Sequence, residues 1–406
     1  MHAKRTPSMD RVVMVVTAIA LAAAFFWRAG ANAQHIKYQD ANFVFFWLAG
    51  RMTLEGENPY DSAQWLAQHD ANGIAWRPNS IFPYPLPLAP LLAPLGLLSL
   101  RSAYLAWQLL SEALIAISVL LLLRTTGRGR APLFLGPLVL MLLFYGPVYL
   151  TLQVGALGAF TLLNLTCAIL SLDARRPALA GALLALTILK PPQGLPILVL
   201  STLWFIARRE WKALLGMTAG AAGLLVLGLL VDPQWMAKFL SAGERVMART
   251  LGFQSNAFGL AYQVCDGSIG CMWWLGGLIA TAVLVLCSWF LWRQRDRLSP
   301  WEAFGLIIPC AFLSTVYLWS YDQLPYIIPI VWIITALGQG RWSYVASLSF
   351  LIILILASIA ALGIFARTRS DLPGLGNTIL VLGMLVVLMR QRLASSLLAA
   401  PVSPAP

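Results

Sequence analysis

The sequence predicts an all-α, polytopic membrane fold, and three observations carry that prediction. Hydrophobic residues fill 59% of the 406 positions and charged residues only 11%, a balance far from that of a water-soluble domain. The apolar stretches are continuous, many of them near the roughly 20 residues a helix needs to cross hydrocarbon. They also lack the period-two alternation of a transmembrane barrel. Backbone amides in lipid must be satisfied within their own segment, so continuous apolar runs are read as helices.

In chain order the runs give about twelve spans, near 11–28, 102–123, 131–150, 156–172, 178–189, 195–207, 212–231, 272–292, 301–319, 323–337, 343–365 and 374–389. The first is read as a retained helix, because "ANA" at 31–33 is a weak cleavage triplet. The net charge of +12 could suit nucleic acid, but its placement indicates orientation in a bilayer and no nucleic-acid partner. With the N-terminus inside, the inner loops and adjoining helix ends hold 17 of the 28 basic residues and only 5 of the 16 acidic ones. The opposite orientation violates the positive-inside bias in nearly every loop. Both termini are therefore expected on the cytoplasmic side.

The chain reads as one domain, 1–406, with two long outer segments, 30–85 and 232–271, and a disordered tail, 397–406. Within the first segment, Ala41–Leu54 can place Phe43, Phe46, Trp47 and Leu54 on one face and Asn42, Arg51 and Thr53 elsewhere. That pattern predicts a short helix lying in the membrane interface, with Asp40 at its start. Of the five cysteines, Cys167, Cys287 and Cys310 fall in spans and are read as packing residues. Cys265 and Cys271, in "VCDGSIGC", share the second outer segment, where a Gly-containing spacer lets them form a disulfide. No histidine accompanies them, so a metal site is disfavoured.

This topology collects the costly polar groups on the outer side. Asp40, Gln153 of "LQVG", Lys190 of "LKPPQG" and Asp322 of "SYDQLPY" can line one outward-facing cleft, with Tyr84 of "YPLPLAP" and Tyr321 as further donor-binding candidates. Each also has a plainer reading. Asp40 can be a helix N-cap; Lys190 can snorkel to water; Asp322 can cap a helix or pair with Arg367 or Arg369; Gln153 can be a turn residue. As a set they make chemical sense: a carboxylate takes a proton from an attacking hydroxyl, a lysine neutralises a departing phosphate, and amide or tyrosyl groups orient a sugar. The sequence contains no Gly-rich phosphate loop, no HExxH and no GxSxG, and no cofactor is indicated.

The ordered series Asp40, "AGRMTLEGENPYD" (49–61), "FPYPLPLAPLLAPLGLL" (82–98), "LQVGALGAFTLLNL" (152–165), "AGALLALTILKPPQGL" (180–195) and "WSYDQLPYIIPI" (319–330) resembles glycosyltransferase family 87. The resemblance implies a GT-C fold with interfacial helices on the outer face of a bacterial inner membrane. It implies an inverting transferase, mannosyltransferase-like, that uses a polyprenyl-phosphate sugar and glycosylates an envelope glycolipid or glycan. It carries the catalytic aspartate to Asp40 and the donor site to Gln153, Lys190 and Asp322, with Tyr84 in a partial "YPP" motif whose second proline is here Leu86. A polytopic transporter and a lipid-linked-sugar flippase are the competing readings. The lack of an internal repeat and the scarcity of midspan charges count against the transporter.

Overall fold

A computed structural model describes residues 23, 27–31, 42–75, 79, 81–126, 138, 139, 141–241, 252–337 and 343–398. Asp40, nearly all of the expected first span and most of the expected tail lie outside the described residues. Every regular element among the described residues is helical. The principal helices are α1 (Phe43–Leu54), α2 (Ser62–Ala71), α3 (Leu100–Thr126), α4 (Gly146–Val154), α5 (Gly158–Asp173), α6 (Pro177–Ala185), α7 (Pro191–Arg208), α8 (Trp211–Val231), α9 (Ala257–Val264), α10 (Ile269–Arg293), α11 (Pro300–Ser314), α12 (Ile327–Leu337), α13 (Ser343–Thr368) and α14 (Leu375–Leu398).

Five of these runs are long and apolar enough to cross a membrane: α3, α8, α10, α13 and Leu372–Ala394, which contains most of α14. A sixth arises if α4 and α5, bent by 119°, count as one span. The described residues therefore do not reach the expected twelve, and the reason is local. The run at 178–189 is the nine-residue α6 followed by a 3-10 turn, Leu186–Leu189. The run at 301–319 stops being helical at Ser314, and 323–337 divides into a 3-10 turn, Ser320–Tyr326, and the eleven-residue α12. Ile327 to Ile334 of α12 are all buried. A helix apolar on every side can be wrapped by protein as readily as by lipid, and hydropathy alone does not separate the two. By contrast α8 and α10 leave most of their surface open, as lipid-facing helices do.

The one-faced apolar pattern expected of Ala41–Leu54 is corrected by the structure. In α1 every residue from Phe43 to Gly50 is buried, together with Met52, while Leu54, assigned to the apolar face, is 48% exposed. This helix is the centre of a second hydrophobic cluster with Trp65, Phe82, Tyr104 and Trp107. Its backbone touches the Pro-rich segment that follows the first outer loop. A Cβ on Gly50 would stand 2.3 Å from the Leu92 carbonyl oxygen, and one on Gly96 2.5 Å from the Arg51 nitrogen. The sequence period identified the helix, but not the chain that covers its other face.

The C-terminal end of α4 is buried, and its free carbonyls need partners. Gly155 turns the chain out of the helix in the left-handed conformation, at φ 65°, ψ 40°. Side chains of α3 complete the end: Tyr104 donates to the Gln153 carbonyl (2.8 Å), Trp107 to that of Gly155 (3.1 Å) and Gln108 to that of Leu152. At the opposite end of the bundle, Ser299 and Glu302 form a capping box on α11. Glu302 also pairs with Arg392 of α14, and Trp301 donates to Asp173 of α5.

Helices α6 and α8 pack backbone to backbone through small residues, as membrane helices do when dispersion and close approach hold them together. A Cβ at Gly181 would lie 1.8 Å from the Ala213 carbonyl oxygen, and one at Gly216 1.9 Å from that of Ala178. Gly223, on the same helix as Gly216, has nothing within 4 Å. Gly216→Leu should therefore lower the thermal melting point of the detergent-purified protein, by overpacking of about 1–3 kcal/mol or more. Gly223→Leu should leave it near wild type; equal melting of the two variants would contradict this packing.

Candidate active site

The site is built around the tip of a helical hairpin. From α6 the chain enters the Leu186–Leu189 turn, and Lys190 then occupies the N-cap position of α7. Pro191 and Pro192 start α7, where their missing N–H groups cost nothing because first-turn amides have no helical partner. The turn folds back closely on this start: a Cβ on Gly194 would be 2.1 Å from the Thr187 carbonyl oxygen. From the other side, the Thr315 hydroxyl donates to the Pro192 carbonyl. "LKPPQG" thus fixes a buried lysine at a rigid hairpin tip, rather than letting it snorkel to water.

Lys190 meets Asp322, which lies in the Ser320–Tyr326 turn and is fully buried. The ammonium donates to Asp322 Oδ1, and the Trp319 amide donates to Oδ2 at 3.2 Å. The partner of Asp322 is therefore Lys190, and not Arg367 or Arg369. Lys190 Nζ also sits 5.2 Å from the centroid of the Tyr321 ring, within cation–π range. Burial raises the Asp322 carboxyl above the usual carboxylate range, while Lys190 and the Trp319 amide oppose that rise.

Three phenols surround the pair. Tyr84, Tyr317 and Tyr321 all feel the Asp322 charge, and Tyr317 and Tyr321 influence each other. Burial, reinforced by the nearby negative charge, keeps these phenols protonated, so they are available as neutral donors. Their side chains are part-buried, so the cluster reaches the molecular surface while Lys190 and Asp322 lie beneath it. Gln193 lies close enough to Asp322 to lower its carboxyl, yet neither of its buried amide atoms completes a hydrogen bond. An unsatisfied buried amide costs about 1–3 kcal/mol, and one beside an ion pair is a ready contact for a polar ligand.

Gln153 lies in the last turn of α4, whose Thr151 donates to the Tyr321 carbonyl at 2.6 Å. That contact brings α4 against the site, but the Gln153 side chain makes no hydrogen bond to Lys190 or Asp322. Within the first outer segment, the Tyr60 hydroxyl donates to the Tyr84 carbonyl. Asn58 in turn donates to Asp232 at 2.8 Å, and Lys238 pairs with the same oxygen at 2.7 Å. The two outer segments are therefore clipped together beside the site. Farther along the second segment, Cys265 is bonded to Cys271, with Cα atoms 5.8 Å apart. Among the described residues, no group of three or more His, Cys, Asp or Glu side chains comes together.

Behind the Asp322 turn lies a polar network that the sequence reading missed. Asp371 accepts from the Ser320 amide and from its hydroxyl (2.7 Å). Gln323 donates to Ser255 (3.2 Å) and to the Gly374 carbonyl (3.1 Å), and Asn377 donates to Gln323 (3.0 Å). Gln254 accepts from the Leu318 amide at 3.1 Å. Burial pushes the Asp371 carboxyl up to about 7, against the hydrogen bonds from Ser320 and Ser255. Two signals were legible: "QSN" at 254–256 precedes a helix that Asn256 caps, and "SDLPG" at 370–374 has turn composition.

The described residues are all-helical in their regular elements, include helices long enough to cross a membrane, and bring a buried lysine–aspartate pair under a cluster of phenols at the helix ends. Residues 82–318 match the sequence profile of glycosyltransferase family 87, and the chain belongs to that family. It is a membrane glycosyltransferase. Comparison with curated proteins and with solved structures found no match.

Two predictions follow from this geometry. Lys190→Met should destabilise the protein by about 3–5 kcal/mol, because it leaves the Asp322 charge buried and unpaired. Lys190→Met combined with Asp322→Leu should regain most of that loss while remaining inactive; denaturant titration of the three proteins checks it, and a double variant no more stable than the single one would contradict it. The second prediction concerns pH. An acid whose folded pKa is raised binds its proton more tightly when folded, so its stabilisation is full below 3.8 and lost as pH rises through about 7. The melting temperature of Asp371→Asn measured from pH 4 to pH 8 should fall less across this window than that of the wild type.

Proposed function

We propose that the protein transfers a sugar, mannose or a related hexose or pentose, from a polyprenyl-phosphate donor to an envelope glycolipid or glycan. On this reading the chain is a GT-C enzyme of about twelve membrane segments in a bacterial inner membrane, with both termini cytoplasmic and the active site facing outward. The observation that carries the donor assignment is the buried Lys190–Asp322 pair beneath Tyr321. A lysine ammonium has three protons. With one held by Asp322, the others are available to the oxygens of a phosphate, and Gln193 adds an amide that has no other partner. Tyr84, Tyr321 and, from α4, Gln153 are the groups assigned to orienting the donor.

In the reaction, the acceptor hydroxyl attacks the anomeric carbon and gives its proton to Asp40. The bond from that carbon to the phosphate oxygen breaks, and the electron pair leaves with the polyprenyl phosphate. Lys190 stabilises the charge that develops there. A single displacement inverts the anomeric centre. Asp322 holds Lys190 in the resting enzyme and keeps it aimed when the phosphate arrives; without this counter-ion the ammonium would be costly to bury.

A panel of radiolabelled polyprenyl-phosphate sugars, offered to the purified protein with extracted envelope lipid or glycan, tests the assignment. At least one donor should support transfer. Asp40→Asn should reduce single-turnover transfer by about 10²–10⁴-fold while binding donor normally, because asparagine is also a good N-cap. A variant within a few-fold of wild type would reduce Asp40 to a cap. Donor binding and translocation without transfer would favour the flippase.

A further inference from the structure

Helices α7 and α10 leave a groove between them of about 480 Å³, lined by Val199 and Leu203 on one side and by Val285, Ser288, Trp289 and Trp292 on the other. Both indoles are more than half exposed. The groove ends among cations. The Arg293 guanidinium stacks over the Trp289 ring at 5.8 Å, and that of Arg295 over Trp292 at 5.9 Å. Arg208, the last residue of α7, donates to the Arg295 and Leu298 carbonyls at 2.7 and 3.4 Å. It thereby ties the two helix ends together without losing its charge.

We propose that this groove binds one anionic phospholipid, with an acyl chain along Val199, Leu203 and Val285 and the phosphate against Arg293 and Arg295. Charge complementarity selects this occupant. Residues 208–212 and 293–297 hold six cations and two carboxylates, Glu210 and Asp296. Asp296 pairs with Arg295 at 3.5 Å, on an exposed surface where such pairs contribute little. Of the nearby acids on packed elements, Glu302 is taken by Arg392, and Asp173 accepts from Trp301. Guanidinium groups suit phosphate oxygens through paired donors, and tryptophans mark the headgroup level of a bilayer. Basic pockets between membrane helices are suited to anionic headgroups.

This site is separate from the one around Lys190. Lys190 precedes the first residue of α7 and Arg208 is its last, so 18 residues place the two about 27 Å apart. A lipid in the groove bridges α7 to α10 at the end remote from the chemistry, and so steadies the helix on which Lys190 is mounted.

Native mass spectrometry of the delipidated, detergent-purified protein, titrated with phosphatidylglycerol or with phosphatidylcholine of the same chains, tests the proposal. One phosphatidylglycerol per chain should bind at least about fivefold more tightly than phosphatidylcholine. Arg293→Gln with Arg295→Gln should bring the two within about twofold, and Ser288→Trp, which fills the groove but keeps the charge, should weaken both. If the double variant folds poorly, Arg293→Gln alone, on an exposed side chain, gives the same readout in part. Equal binding of the two lipids by the wild type would overturn the proposal. So would a preference that survives the arginine variants, or a lipid-free dimer that Ser288→Trp disrupts.

Discussion

The buried ion pair between Lys190 and Asp322 is the constraint around which the polar end of the bundle is arranged. Removing two charges from water costs several kcal/mol per ion, and their attraction repays it only when geometry and further hydrogen bonds are good. The structure meets that demand with two segments, the α6–α7 hairpin and the stretch from Trp319 to Tyr326. The α6–α7 hairpin supplies the ammonium, the Ser320–Tyr326 turn supplies the carboxylate, the Trp319 amide occupies its second oxygen, and the Tyr321 ring covers the cation. Each element must be held still, which explains why proline, glycine and 3-10 turns gather where uninterrupted helix would be expected.

Rigidity of the carboxylate has its own support. The Asp322 turn is fastened from behind by Asp371 through Ser320, and by Gln323 through Ser255, Gly374 and Asn377. Gly374 has no room for a side chain, since a Cβ there would approach the Ser320 hydroxyl to 2.1 Å. The long outer segment before α10 and the loop before α14 therefore both serve one short turn. The α4 end, capped by α3 and bonded to the Tyr321 carbonyl through Thr151, braces it from the third side.

Much of this was legible in the sequence because it rests on local rules. Continuous apolar runs specified helices, and the glycine of "LQVG" marked the turn between α4 and α5. "LKPPQG" marked a helix end with a lysine on it, though not that its prolines begin the next helix, and the spacing of Cys265 and Cys271 allowed the bond the structure contains. What was not legible depends on contacts between distant segments. Nothing in 323–337 says that its apolar faces meet protein rather than lipid, and nothing in 41–54 says that a Pro-rich segment forty residues later covers the helix. The partner of Asp322 lies 132 residues away, whereas Arg367 and Arg369 were nearer in sequence. Asp371 escaped notice because an acid at the edge of an apolar run looks like a helix boundary; only its burial shows that it holds the turn.

The same physics explains how a site for charged chemistry can exist within a mostly apolar helical protein. A lone lysine there would shed its proton or reach for water. A lysine paired to a fixed carboxylate is partly neutralised by it and so attracts little from solution. On the proposed function a donor phosphate would change that balance, bringing negative charge to protons that Asp322 cannot use, in surroundings where water competes weakly. On the proposed function the pair would receive the phosphate of the donor, and the amide of Gln193, which completes no hydrogen bond, lies beside it.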